Sequence, residues 1–317
     1  MFCLQKRQWR EGSVMLERKK DYHAWLYLLI PLFLLSVFTF FPLIKTIMIS
    51  FDDGYNKWQD AFSYNFGIDS YIAIFKYQPF LRTLWNTLLI VFISVPASTL
   101  LALFIAVGLN SIKPLQKIFQ TIFFLPYVTN AIAIGMVFAV LFNGIGLVNG
   151  ILQMFGIDPV NWINVSDVGF EASYVRRMIV LQIYILWDAL AFKILVFIGG
   201  LQNISKQYYD AAKIDSTPRK RVFSKITVPL LSPLISYILI TSFIGAFKTY
   251  DSVVGIFGAD WGKTSDIQTI VGFVYRQLAE GSINSYSRGA AAAVSLFIII
   301  LLFTVLNLYL SKKRVHY

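Results

Sequence analysis

Cysteine is almost absent: Cys3 is the only one in 317 residues. That excludes a disulfide within the chain and a thiolate metal cluster. Histidine is nearly as scarce. His23 and His316 both sit near the termini, so the interior holds no histidine-based catalytic or metal site. The phosphate-cradling pattern Gly-x-x-x-x-Gly-Lys-Ser/Thr does not occur, so the chain does not itself hold nucleotide phosphates. Charge is thin as well: 14% of residues are Asp, Glu, Lys or Arg, against about 25% in a soluble domain. A cleavable signal peptide is not expected. The apolar run after the basic start is too long, and no small-residue cleavage site follows it. No inverted repeat is visible, which weakens the case for a secondary transporter.

What is present is apolar. Hydrophobic residues make up 57% of the chain and its mean hydropathy is +0.63. Runs long enough to cross ~30 Å of hydrocarbon recur along it. They predict about six spans: 24–49, 84–109, 119–142, 178–201, 230–256 and 289–310. Pro31 and Pro42 are expected to kink the first, and Pro126 to break the third. Lys45 is placed to snorkel at the end of the first. Polar loops follow at 51–82, 143–174 and 258–288, the last with a short helix expected near 267–278. The fold class is an all-α membrane protein, with a tail at 1–23, a transmembrane domain at 24–310 and a tail at 311–317. Codons for Arg10-Glu11-Gly12 can spell a ribosome-binding sequence upstream of Met15, so Met15 competes with Met1 as the natural start.

The formal net charge is +11. It invites a nucleic-acid reading, but the basic residues lie beside spans. Setting the N-terminus, the Lys113 turn, the 202–229 segment and the C-terminus on one side gathers seventeen of the 28 Lys and Arg there. The other side then holds eleven of the 17 acidic residues. The positive-inside rule makes the basic side cytoplasmic, with both termini on it and no nucleic-acid partner.

The most patterned stretch is 208–230, YYDAAKIDSTPRKRVFSKITVPL. Residues 208–213 read as a short helix. Ser216, Thr217 and Pro218 break it and start another. Val222, Phe223 and Ile226 form an apolar ridge on the second piece, within a basic skirt of Arg219, Lys220, Arg221 and Lys225. Pro229 closes it at the next apolar run. The result is a cytoplasmic elbow between the fourth and fifth spans.

Asp210, Ala211, Ala212, Asp215, Ser216 and Thr217, followed by Ile226, Val228 and Pro229, resemble the Glu-Ala-Ala-x-x-Asp-Gly-Ala…Ile-x-Leu-Pro signature of permease subunits of binding-protein-dependent ABC importers. FPLIKTIMISF at Phe41–Phe51, WNTLL at 85–89 and FFLP at 123–126 extend the resemblance to the carbohydrate, maltose-permease-like branch over most of the chain. There are two departures. Asp210 replaces Glu and keeps the charge on a shorter stem. Ser216 replaces Gly, which puts the local turn geometry in question.

The resemblance implies a multi-pass subunit of the bacterial plasma (inner) membrane that forms the pathway for a sugar or oligosaccharide and is not itself an enzyme. It implies as partners a second homologous permease subunit, two ATPase subunits beneath the elbows, an extracellular or periplasmic sugar-binding protein, and the lipid bilayer. It places ATP and Mg2+ on the ATPases and no cofactor on this chain. The ATPase-coupling residues would be Asp210, Ala211, Ala212, Asp215, Ser216 and Pro229, with Ala211 and Ala212 small enough to enter a partner groove.

Ionisable residues within spans are pathway candidates because hydrocarbon makes them costly. Ile185, Asp188, Ala189 and Phe192 share one helical face on the fourth span, and Tyr184 and Trp187 supply rings beside it. On the fifth, Thr241, Gly245, Lys248 and Thr249 are expected to share a face, near Tyr250. The resemblance places Gly245, Ala246 and Thr249 at pocket-lining positions. Rings suit the apolar face of a sugar, and hydroxyls or carboxylates its hydroxyl groups. Against this, Asp188 and Lys193 are equally suited to structural ion pairs, and Lys248 to snorkelling. The rival functions are an ion-coupled secondary transporter with Asp188 as coupling carboxylate, and a membrane-embedded enzyme. The enzyme would need a catalytic cluster at membrane depth that the residues do not offer.

Overall fold

The computed structural model describes residues 23, 25–56, 58–112, 116–163, 170–258, 260, 262 and 266–312. The expectations for 1–22, including the choice of start, and those for Lys113, Pro114, Lys263 and 313–317 lie outside the described residues. Within them there is no strand, only two isolated β-bridges, Asp52 with Phe66 and Asn56 with Ala61.

Helix α1 is Trp25–Phe51. Its first half is exposed on all sides, and its second half packs against α13 (Ile283–Lys312). Pro42 has no N–H to give, and the ladder slips just before it into a π turn at Ser36–Phe40, where the Phe41 N–H reaches Ser36 O. Pro31 is accommodated without such a turn. Lys45 does not simply snorkel. Its Nζ donates to Asp60 at 2.6 Å, and the Tyr55 hydroxyl donates to the same carboxylate. The Lys45 hydrogen bond, then that of Tyr55, holds the Asp60 carboxyl below the usual carboxylate range.

A short helix, α2 (Asp69–Lys76), leads into α3 (Gln78–Ser111). With 34 residues, α3 is about 51 Å long at ~1.5 Å per residue, longer than the hydrocarbon it must cross. The expected third span is two helices, α4 (Gln116–Val128) and α5 (Ala131–Leu141). The break falls after Pro126, at Thr129 and Asn130. There the Asn130 side chain accepts the Ile132 and Ala133 N–H groups at 2.9 and 3.1 Å and caps α5. A surface helix, α6 (Leu147–Met154), follows.

Helix α7 is Phe170–Asn203 and α8 is Lys206–Ile214. Helix α9 (Arg219–Leu230) meets α10 (Ser232–Phe247) at a 67° bend. Pro229 and Pro233 flank that bend and each withhold an N–H. A second π turn, Phe223–Thr227, precedes Pro229 as the first precedes Pro42. Then come α11 (Asp251–Phe257), α12 (Ile270–Glu280) and α13. Among the described residues, four helices are long and apolar enough to cross a membrane, or five if the bent pair is one span.

Among the described residues, three apolar clusters join these helices. Ile90, Phe138, Leu181, Tyr184, Val253 and Ile256 tie α3, α5, α7 and α11. Ala102, Ala106, Ile194, Phe197, Leu231 and Ile238 tie α3 and α7 to the bend and α10. Phe80, Val91, Phe247, Phe273, Ala291 and Ala292 tie α3, α10, α12 and α13.

Candidate functional site

Helix α7 runs unbroken through the candidate face, so Ile185, Asp188, Ala189 and Phe192 lie on one side of it, all half-buried. Asp188 makes no hydrogen bond or ion pair among the described residues. The Phe192 ring stacks on Tyr127 of α4, with centroids 5.7 Å apart. Tyr184 departs from expectation: it is fully buried, donates to Ala131 O at 2.8 Å, and packs edge-on against Phe138. It is core rather than a ring open to a ligand. Trp187 keeps an exposed edge beside Phe138.

The expected face on the fifth span holds only in part. Helix α10 stops at Phe247, so Thr241 and Gly245 share its surface, while Lys248 and Thr249 lie in a break before α11. The Lys248 N–H turns back to Gly245 O at 3.0 Å, and the Thr269 hydroxyl donates to Thr249 O at 2.8 Å. A backbone carbonyl freed by the break thus has a side-chain donor. Lys248 and Gly245 are exposed and Thr249 is half-buried. Tyr250 stacks on Tyr275, with centroids 4.4 Å apart. Tyr184 lies beside Ser252 and within electrostatic reach of Asp188 and Asp251, so α11 and the acidic face of α7 adjoin.

The half-helices α5 and α11 cross at a glycine pair. A Cβ on Gly135 would fall 2.7 Å from Gly255 Cα, and one on Gly255 2.8 Å from Ile132 O. Only glycine on both sides allows that approach.

The 202–229 segment folds as two short helices, α8 and α9. Phe223 of the apolar ridge stacks on Phe104 of α3 at 5.6 Å. Val222 and Ile226 are half-buried beside it, and the basic residues Arg219, Lys220, Arg221 and Lys225 are exposed. Asp210 pairs with Lys213 at 2.9 Å on the surface, and Ala211, Asp215 and Pro229 are exposed. Ala212 is not: it is buried in this chain, on the face whose Tyr209 hydroxyl meets Thr227. It cannot enter a partner groove. The exposed apolar edge is instead Tyr208, Ala211 and Ile214, with Ile214 85% exposed.

Ser216 keeps the turn that the usual glycine would make. Its φ is +50°, its N–H reaches Lys213 O at 3.0 Å, and the Thr217 N–H reaches Ala212 O at 2.9 Å. That pair of bonds is a Schellman cap, and a left-handed residue with a Cβ costs about 1 kcal/mol there. Ser216→Gly is therefore expected to stabilise the elbow by roughly 0.5–1 kcal/mol. Slower hydrogen exchange in 206–217 would register the gain; unchanged or faster exchange would contradict it.

Two polar arrangements were not legible in advance. Asn86, within the WNTLL stretch, donates to Asp266 O and Gln268 O and accepts from the Tyr174 hydroxyl, pinning the loop before α12. Lys193 is buried against α3, where its Nζ donates to Ser98 Oγ at 2.5 Å and Thr99 Oγ1 at 3.3 Å. It is an interhelical strut, closed off from the Asp188 face.

Residues 66–316 match the family described as the binding-protein-dependent transport system inner membrane component. The arabinooligosaccharides transport system permease protein AraP of Bacillus subtilis is 32% identical over 90% of this chain and 88% of its own length. The lactose transport system permease protein LacF of Rhizobium radiobacter is 27% identical over 94% and 97%. Among solved structures, a chain of a bacterial ABC transporter involved in the import of the acidic polysaccharide alginate superposes with a TM-score of 0.76. It shares 19% identity and covers 95% of this chain and 99% of that one, which fixes the fold. The chain belongs to the binding-protein-dependent transport system inner membrane components, the membrane-embedded permease subunits of such importers.

Proposed function

We infer that this permease carries a sugar or oligosaccharide, delivered by an external binding protein, along the Asp188 face of α7 and past the break at 248–250. The observation that carries the pathway is Asp188 itself: a half-buried carboxylate with no hydrogen-bond or ion-pair partner among the described residues, next to a broken helix and within a ring-rich wall. The names of the relatives support the substrate class, since they specify lactose and arabinooligosaccharides. Pathway residues are Ile185, Asp188, Ala189, Phe192, Gly245, Lys248 and Thr249, with Tyr184 behind them as packing.

Six spans make the transmembrane domain, with α4 and α5 together as the broken third and α10 and α11 as the broken fifth. A second permease of the same kind completes the pathway. Two ATPase subunits dock under the elbows, where the edge of Tyr208, Ala211 and Ile214 is bare, and ATP and Mg2+ reside on them. Closure of the ATPase pair pushes the elbow, which is clamped to α3 through Phe223, and so rocks the spans.

Both termini and the elbow face the cytoplasm, on the strength of the charge asymmetry. In a Cys3→Ser background, an impermeant maleimide on whole cells is expected to label Trp58→Cys and spare Lys220→Cys. The reverse pattern would invert the topology.

Asp188→Asn tests the pathway. It keeps the shape but loses charge-assisted hydrogen bonding, worth roughly 1–2 kcal/mol. Uptake should fall about 5- to 30-fold, with assembly and basal ATPase intact. Loss of complex yield instead would mark an interhelical role. Uptake that collapses with an uncoupler while ATP is supplied would mark ion coupling. Unchanged uptake and assembly would remove Asp188 from the site.

A further inference from the structure

Helices α2 and α12 and the first turns of α13 line a cleft of about 300 Å3 that contains none of the proposed pathway residues. Lys76 lines it from α2 and Arg288 from α13, and neither makes a hydrogen bond or ion pair among the described residues. Tyr77 and Phe273 form an aromatic wall, their centroids 6.3 Å apart. Gln277 donates to the Glu280 carboxylate at 3.2 Å.

Against that wall sits Arg276, only 5% exposed. Its guanidinium carbon is 4.9 Å from the centre of the Phe273 ring. Its Nε approaches Glu280 at 3.5 Å without forming a hydrogen bond, and its Nη2 has no partner. Glu280 is thus the one carboxylate lining the cleft beside the unpaired Lys76 and Arg288, of the three cations it reaches only Arg276, and a buried guanidinium with unmet donors is costly. The cleft is built rather than incidental. Gly289, whose Cβ would lie 3.1 Å from Gln277 Cβ, lets α13 close on α12 beside Arg288.

Depth indicates what fills it. Lys312, the last residue of α13, marks the basic end of that helix. Arg288 is twenty-four residues before it, or about 36 Å at ~1.5 Å per residue. The hydrocarbon is ~30 Å thick and the headgroup layer adds about 5–7 Å on each side. Arg288 therefore stands at headgroup level on the side opposite Lys312. Ile72 and Phe75 of α2 and Leu278 of α12 expose apolar surface on the same helices. We propose that this cleft seats the phosphate of an anionic phospholipid, held by Lys76 and Arg288 with Arg276 behind.

The test places the full-length protein, purified with its partner subunits, in phosphatidylcholine nanodiscs containing a minor fraction of phosphatidylglycerol. Retained lipid is counted by native mass spectrometry. The wild type is expected to retain phosphatidylglycerol selectively. The Lys76→Gln/Arg288→Gln variant is expected to lose that retention at least tenfold, with unchanged assembly and melting temperature in phosphatidylcholine alone. Arg288→Lys, which keeps the charge, should restore part of it. Equal retention by wild type and the double variant would overturn the proposal. So would equal thermal protection by inorganic phosphate, which would make the site one for a free oxyanion. Weakened capture of the binding protein with lipid retention unchanged would assign the cleft to an acidic protein surface instead.

Discussion

Gly255→Val is expected to destroy the assembled subunit, with loss of most detergent-extractable complex and a fall in melting temperature of the remainder. The reason is geometric. At the α5–α11 crossing, the first atom of any side chain on Gly255 meets Ile132 O at 2.8 Å, Gly135 Cα at 2.9 Å and Ile132 Cα at 3.1 Å. These are backbone atoms, so no rotamer change relieves the clash, and the half-helices must separate. Overpacking of a well-packed core costs about 1–3 kcal/mol even where side chains can yield, and more is expected here. Separation would also expose Ile256 and Phe138, which share a buried cluster with Tyr184. Gly199→Val is the control: nothing lies within 4 Å of a Cβ there, so extraction and melting should stay close to wild type. Equal behaviour of the two variants would show that the crossing is looser than described.

Ile214→Asp is expected to abolish sugar uptake while leaving membrane insertion and melting temperature unchanged. Ile214 is 85% exposed at the last position of α8 and forms no part of the buried clusters. A bare isoleucine on a basic, solvent-facing elbow is the residue a docking partner would cover. Burying a charge in its place removes apolar contact and adds desolvation. Central interface positions of this kind cost about 2 kcal/mol or more, roughly a 30-fold loss of affinity. Pull-down of the ATPase subunits and ATPase stimulation by loaded binding protein should both fall. Ala212→Trp should fail differently, by loss of folded protein, because Ala212 is buried within this chain. Full uptake by Ile214→Asp would remove this edge from the coupling surface.

Much of this was legible in the residues. Long apolar runs marked α1, α3, α7 and α13, and the 3.6-residue period marked the Asp188 face and the ridge of Val222, Phe223 and Ile226. The breaks were harder to see, because proline alone does not place them. The expected third span parts at Asn130, where a side-chain cap is available, and not at Pro126. The expected fifth parts at 248–250, where Thr269 supplies a donor from 20 residues away to a carbonyl the helix no longer satisfies. Which face of α8 turns inward depends on Tyr209 meeting Thr227, a tertiary contact, so Ala211 and Ala212 looked equivalent and are not. Lys193 resembled a pathway residue for the same reason. Its hydroxyl partners lie 94 and 95 residues earlier in the chain and carry no local pattern.

The most direct measurement is uptake into proteoliposomes holding the complete complex, with labelled oligosaccharide presented on its binding protein outside and ATP sealed within. Accumulation is predicted only when both ATP and the loaded binding protein are present, and it should persist when ionophores collapse every ion gradient. Accumulation driven by an ion gradient in the absence of ATP would contradict the account.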